Sequence, residues 1–190
     1  MSHLGCKDSF FPKLERHLST YNKKVIIGDG ARWIWNWADD NYPGATQILD
    51  FYHAKEKLVI LSNKQIRNEE EGKKWVADQS EKLLDDRIDE VIEIIKKVRC
   101  RSDETRQIKE KTINYFLEHE DRMLYGTFRE KGLLIGSGPI EAAHRSVLQT
   151  GMKLSGQRWT IKGANAIANL RCLNKSNAWH ILEKFVKAAA

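Results

Sequence analysis

Apolar and polar positions alternate in three distinct manners along the chain. Lys23-Lys24-Val25-Ile26-Ile27-Gly28 is a short β-branched run closed by glycine, the pattern of a buried strand. Ala31–Tyr42 follows with Ile34, Trp37 and Ala38 at helical spacing, and Pro43-Gly44 ends it. Thr46–Leu49 reads as a second strand. Strand, helix and strand in so few residues predict a parallel pair with a crossover helix. Upstream, Phe10–Leu18 sets Phe11, Leu14 and Leu18 on one side of a further helix. From residue 58 to 130 the pattern becomes helical and highly charged. Leu84, Ile88, Val91, Ile92, Ile95 and Val98 predict one amphipathic helix, and Ile108, Tyr115, Phe116 and Met123 suggest another. Gly132–Pro139 is a turn that opens a helix from Ile140 to Leu154, with a second from Thr160 to Asn174. The divisions expected are thus 1–57, a strand–helix–strand core; 58–130, an all-helical block; and 131–190, basic helices.

With 190 residues, 41% hydrophobic and 31% charged, the chain suits a globular domain with an insertion. It carries neither a run of about 20 apolar residues nor a secretory leader pattern, so no membrane association is expected. The three cysteines, Cys6, Cys100 and Cys172, are odd in number and far apart, which points to a reducing cytoplasm rather than a disulfide framework. Net charge is +6, and its distribution changes the picture. Residues 1–60 carry +1 and residues 61–130 carry −2, whereas residues 131–190 hold nine basic and two acidic side chains. A field of one sign in the last third suits a polyanion such as nucleic acid, or simply a solvated surface.

Asp29 lies between two glycines at the end of the first strand, where carboxylates of open α/β sheets face the ligand crevice. A turn aspartate bonded to its own backbone would look the same. Glu141 lies in the first turn of the helix opened by Gly138-Pro139, a position also common for a purely structural glutamate. His144 and Arg145 share its face. Asp50 and His53 form an Asp-x-x-His at the end of the second strand, fit for a helix cap with a structural hydrogen bond or for a metal. Arg145, Lys153, Arg158, Lys162 and Arg171 could contact phosphates. Trp159 among them is either core or a stacking platform for an unpaired base. Of Trp33, Trp35 and Trp37, alternating along one helix, at least one must face away from the core. Nucleotide-binding glycine loops, a nucleophile elbow and His-Glu-x-x-His are all absent.

The series Gly28–Trp35 (GDGARWIW), Leu49–Ala54 (LDFYHA), Ile135–Glu141 (IGSGPIE), Met152–Trp159 (MKLSGQRW) and Gly163–Ile167 (GANAI) resembles DDE transposases of bacterial insertion sequences. The nearest group is the ISKra type, which shares an Asp-x-x-His signature with Mutator-like transposases. The resemblance implies an α/β chain: a partial RNase H-like core with an all-α insertion before the last catalytic helix. It implies Mg²⁺, or Mn²⁺, held by carboxylates for phosphodiester cleavage and joining. Asp29 and Glu141 match the second and third acids of the triad, and Asp50 and His53 match the signature as structural support of the site. Partners implied are the DNA of transposon ends and target, a second copy of the chain, or a full-length transposase.

One departure matters. The family's first aspartate lies on a strand well before the position of Asp29, and here Asp8 is in no strand pattern. The chain therefore resembles a transposase that starts inside its catalytic domain, catalytically incomplete alone. A sheet without its central strands would expose a long edge and be marginal or aggregation-prone. The alternative is a DNA-binding remnant without catalysis, or a modulator of a full-length relative.

Overall fold

The computed structural model describes residues 7–19 and 21–189. It is mostly helical, with one small parallel sheet, and in that sense mixed α/β. His3–Gly5, whose pattern resembles the tail of an earlier strand, lies outside the described residues. Contacts divide the chain into two compact units: Lys23–Ser137, and the described residues on either side of it.

Within the unit Lys23–Ser137, β1 (Val25–Gly28) and β2 (Thr46–Leu49) pair in parallel, from Val25 opposite Thr46 to Gly28 opposite Leu49. The crossover helix α2 (Arg32–Asn41) buries Trp35 and Ala38. Trp33 is half exposed, so the three tryptophans divide as their spacing requires. Each strand is four residues long, which keeps the unpaired edges short, although Val25 stays exposed.

Four longer helices, a short one and a 3-10 turn (Glu120–Arg122) complete the unit. The helices are α3 (Phe51–Gln65), α4 (Glu69–Leu84), α5 (Ile88–Lys97), α6 (Asp103–Glu118) and α7 (Tyr125–Glu130). The helical block does not stand apart from the strands. Ile48 and Leu49 of β2 and Trp35 of α2 share one core with Leu58, Leu83, Val91, Ile95, Phe116 and Phe128. Isolated helices shorter than about 12–15 residues are marginal in water and the longest here barely exceed that, so the shared apolar interior is what stabilises them.

The periodicity from Leu84 to Val98 overruns a break. α4 stops at Leu84, and Asp86 takes a left-handed backbone conformation (φ 59°) before α5 begins. Asp86 then caps a distant helix. Its carboxylate accepts from the Gly126 N–H at 2.6 Å, the Thr127 N–H at 2.8 Å and the Thr127 hydroxyl at 2.7 Å, all at the start of α7.

Tyr125 is fully buried against Phe51, edge to face at 5.3 Å between centroids, and its hydroxyl has no hydrogen-bond partner. Burial pushes the pKa of that hydroxyl far up, and Tyr115 and Asp50 add to the effect. An unpaired buried hydroxyl is a cost, and its removal leaves the aromatic contact intact. Tyr125→Phe is therefore expected to leave stability unchanged or raise it by up to about 1 kcal/mol in urea denaturation. A loss of about 1 kcal/mol or more would mean that the hydroxyl is paired in solution.

The other unit contains α1 (Lys7–Leu18) and a helix running from Gly138 to Met152 in three parts: α8 (Gly138–His144), a wider π-turn (Arg145–Gln149) and α9 (Thr150–Met152). It also contains α10 (Ile161–Lys175) and α11 (Trp179–Ala189). Thr160 caps α10, its hydroxyl accepting from the Gly163 N–H at 3.0 Å. Among the described residues no helix is long and apolar enough to cross a membrane.

Candidate functional site at the strand ends

Because Gly28 is opposite Leu49, Asp29 and Asp50 occupy equivalent places just beyond the ends of two neighbouring parallel strands. Their environments differ. Asp29 is exposed and lies in a tight turn, its Oδ1 accepting from the Ala31 N–H at 3.1 Å. The next residue, Gly30, has φ +88°, and a Cβ there would sit 2.5 Å from the Tyr115 hydroxyl oxygen. Only glycine fits such a position without strain.

The turn is held from α6. The Tyr115 hydroxyl donates to the Asp29 carbonyl at 3.0 Å. One turn further on, buried His119 meets Tyr115 edge to face at 4.8 Å and has the Gly30 backbone as a hydrogen-bond partner. Burial pushes the pKa of the Tyr115 hydroxyl well above its ordinary value, reinforced by Asp29, Asp50, Glu56 and Glu118. It therefore remains a donor across the neutral range. Neither Tyr115 nor His119 was singled out from sequence as serving the Asp29 turn. Their i, i+4 spacing on one helix face is the only sequence signal they leave.

Asp50 is 2% exposed and both its oxygens are engaged. Oδ1 accepts from the Tyr52 N–H at 2.8 Å, capping α3, and Oδ2 accepts from the Ser137 N–H at 2.8 Å. The two motifs read separately in the sequence, Leu49–Ala54 and Ile135–Glu141, are thus joined through one carboxylate. The chain pairing is reinforced where the Phe51 N–H donates to the Ile135 carbonyl at 2.9 Å. Burial works to raise the Asp50 pKa. The hydrogen bonds from Ser137 and Tyr52 and the nearby His53 outweigh it and hold the carboxyl below its ordinary range. His53 Nδ1 lies 3.7 Å from Asp50 Oδ1, too long for a hydrogen bond.

Glu141 belongs to the other unit, where it is exposed. With Gly138, Ala142, Arg145, Ser146 and Thr150 it lines a shallow cleft of about 330 Å³. Glu141 and Arg145 share that cleft, whereas His144 turns its ring toward Gln149 at 3.4 Å. Arg145, Lys153, Arg158 and Lys162 are all exposed. Trp159 is 41% exposed, with its ring N–H donating to the Met152 carbonyl at 3.2 Å, so it is not a core residue. Arg171 differs from the other cations: its guanidinium donates to the carbonyls of Val147 (2.6 Å) and Ser146 (2.7 Å).

The exposed carboxylates of Asp29 and Glu141 are hard oxygen donors of the kind Mg²⁺ prefers. Asp50 differs from them: it is buried and bonds two backbone N–H groups, the work of a structural carboxylate. Among the described residues no three His, Cys, Asp or Glu side chains form a metal-holding group.

His119 makes the Asp29 turn sensitive to acid. Burial pushes its pKa down, more than Glu118 and the Gly30 bond raise it, and its Nδ1 is buried without a partner. The unfolded chain therefore takes up a proton before the folded one. Stability is fully present above the ordinary histidine range and falls as pH drops from about 6.5 toward the lower folded value. Melting temperature measured from pH 8 to 5 is expected to decline through that window, and to decline less in His119→Phe. Equal slopes in the two proteins would show that His119 does not carry the effect.

No protein-family model, no curated protein and no solved structure matches the chain.

Proposed function

We propose that this chain is a DDE transposase of an insertion sequence, acting on DNA through an RNase H-like arrangement. The observation that carries the reading is the pair of aspartates beyond adjacent parallel strand ends, one exposed, the other buried and holding the Ser137 backbone. By the resemblance, Asp29 and Glu141 would each offer a carboxylate oxygen to Mg²⁺ or Mn²⁺. When bound, the ion supplies charge neutralisation at the attacked phosphodiester. The chain's own contributions are distinct. Tyr115 and the Gly30 turn fix the backbone of Asp29, and Asp50 fixes the Ser137 backbone. Arg145, Lys153, Arg158 and Lys162 offer charge to DNA phosphates, with Trp159 beside them as a surface for a base.

Asp29 and Glu141 match two of the three acids such a site uses, so the purified polypeptide is expected to bind DNA without cutting or joining it. In filter binding, log affinity for a duplex should fall linearly with log salt, and Arg158→Ala with Lys162→Ala should reduce the slope by about two units. Mg²⁺-dependent strand transfer by the purified polypeptide, abolished in Glu141→Ala, would overturn the expected inactivity. No salt-dependent binding would overturn the DNA reading.

The second reading, a DNA-binding remnant or modulator, is favoured by the +7 charge of residues 131–190. The two separate on the carboxylates. Under the transposase reading, Mn²⁺ broadens the amide resonances around Asp29 and Glu141, and Asp29→Asn removes the effect at Asp29. Binding to DNA with no broadening at either site supports the remnant instead.

A further inference from the structure

The helix bearing Glu141 is wound more widely in its middle than at its ends. At the π-turn the Thr150 N–H reaches back five residues to the Arg145 carbonyl, which also accepts from the Thr150 hydroxyl at 3.0 Å. In an α-helix that N–H would serve Ser146, four residues back. The wider turn therefore takes from the Ser146 carbonyl its ordinary donor. Arg171 of α10 supplies a replacement: Nη2 donates to Ser146 O at 2.7 Å and Nε to Val147 O at 2.6 Å. The guanidinium reaches these carbonyls across Gly151, where a Cβ would collide with it.

A π-turn contains one residue more than an α-turn. If it tightened, the helix on one side would rotate by about 100° and shift by about 1.5 Å relative to the other. Glu141 and Arg145 lie before the turn's end, and Lys153 lies after it.

We propose that Arg171 is a positioning residue that keeps this turn wound wide, and so sets the rotational phase between Glu141 and the basic segment from Lys153 onward. Its fork is matched to two carbonyls rather than to a phosphate, and Gly151 is the opening that admits it. The clamp stands on the geometry of the two helices. Only the identity of Glu141 as a catalytic acid rests on the proposed function.

The two roles open to Arg171 respond differently to lysine. A phosphate contact needs a cation, so lysine substitutes well, whereas one ammonium cannot serve both carbonyls in the fork's geometry. The experiment uses the whole chain with Arg171→Ala, Arg171→Lys, Gly151→Ala and the Gly151→Ala/Arg171→Ala pair. It measures amide hydrogen exchange at Thr150–Lys153 and the salt slope of duplex binding. The expected result is at least a roughly ten-fold loss of protection in all three single variants, the equivalent of one charge-assisted hydrogen bond. The double variant should be no worse than either parent, since both remove the same contact, and the salt slope should stay constant.

Protection restored by lysine, with the slope reduced by about one unit in Arg171→Ala, would identify a phosphate contact and overturn the proposal. So would unchanged protection in every variant, or additive losses in the double. If Arg171→Ala does not fold, Arg171→Lys and Gly151→Ala still decide. A parent chain that fails to bind DNA would refute the proposed function and leave the exchange result standing.

Discussion

Replacing Gly30 by alanine is expected to destabilise the chain by about 3 kcal/mol, the sum of left-handed strain, steric overlap and a lost hydrogen bond. A backbone φ of +88° is strained for any residue with a Cβ, and here that atom would also overlap the Tyr115 hydroxyl. The ring must retreat, which removes its bond to the Asp29 carbonyl. Tyr115→Phe separates the contributions, since it loses the bond alone and should cost only about 1 kcal/mol. Chemical denaturation of both variants measures the difference. A Gly30→Ala loss no larger than that of Tyr115→Phe would mean that the turn adapts and that α6 does not fix the Asp29 backbone.

The second large effect is expected at Asp50. Asp50→Ala orphans the N–H groups of Tyr52 and Ser137 at a buried position, at a cost of about 3 kcal/mol. Asp50→Ser tests the two bonds apart. A serine hydroxyl can still cap α3 but does not extend to Ser137, so roughly half the loss should return. The same carboxylate shapes the acid limb. Its folded pKa is below the unfolded one, so its contribution is complete above the ordinary aspartate range near 3.8 and is lost as pH falls through the lower folded value. Acid unfolding followed by circular dichroism should therefore be less steep in Asp50→Asn. An Asp50→Ala protein as stable as the parent would remove the link between the two motifs.

The strands, the crossover helix and the capped helices at Asp50 and Thr160 were legible because each is written locally, in β-branched runs, glycine stops and capping residues. The break after Leu84 was not. An apolar stripe continues across it in sequence, and Asp86 turns the chain for partners 40 residues away. For the same reason each aspartate could be placed at the end of a strand, whereas the Tyr115 and His119 clamp could not be read. Aromatic and imidazole groups at helical spacing look like ordinary core until the turn they hold is seen. Arg171 shows the reverse case. Its composition-level reading, a cation in a basic segment, is satisfied by carbonyls whose availability depends on one helix being wound wide.

Asp86 also has a kinetic consequence. α7 is only six residues long, too short to persist by itself, and its first N–H groups find their acceptor on the turn between α4 and α5. It can form only after a loop of some forty residues has closed, so it belongs to the late steps of folding. Mutations at Asp86 should accordingly leave the refolding rate nearly unchanged and accelerate unfolding instead.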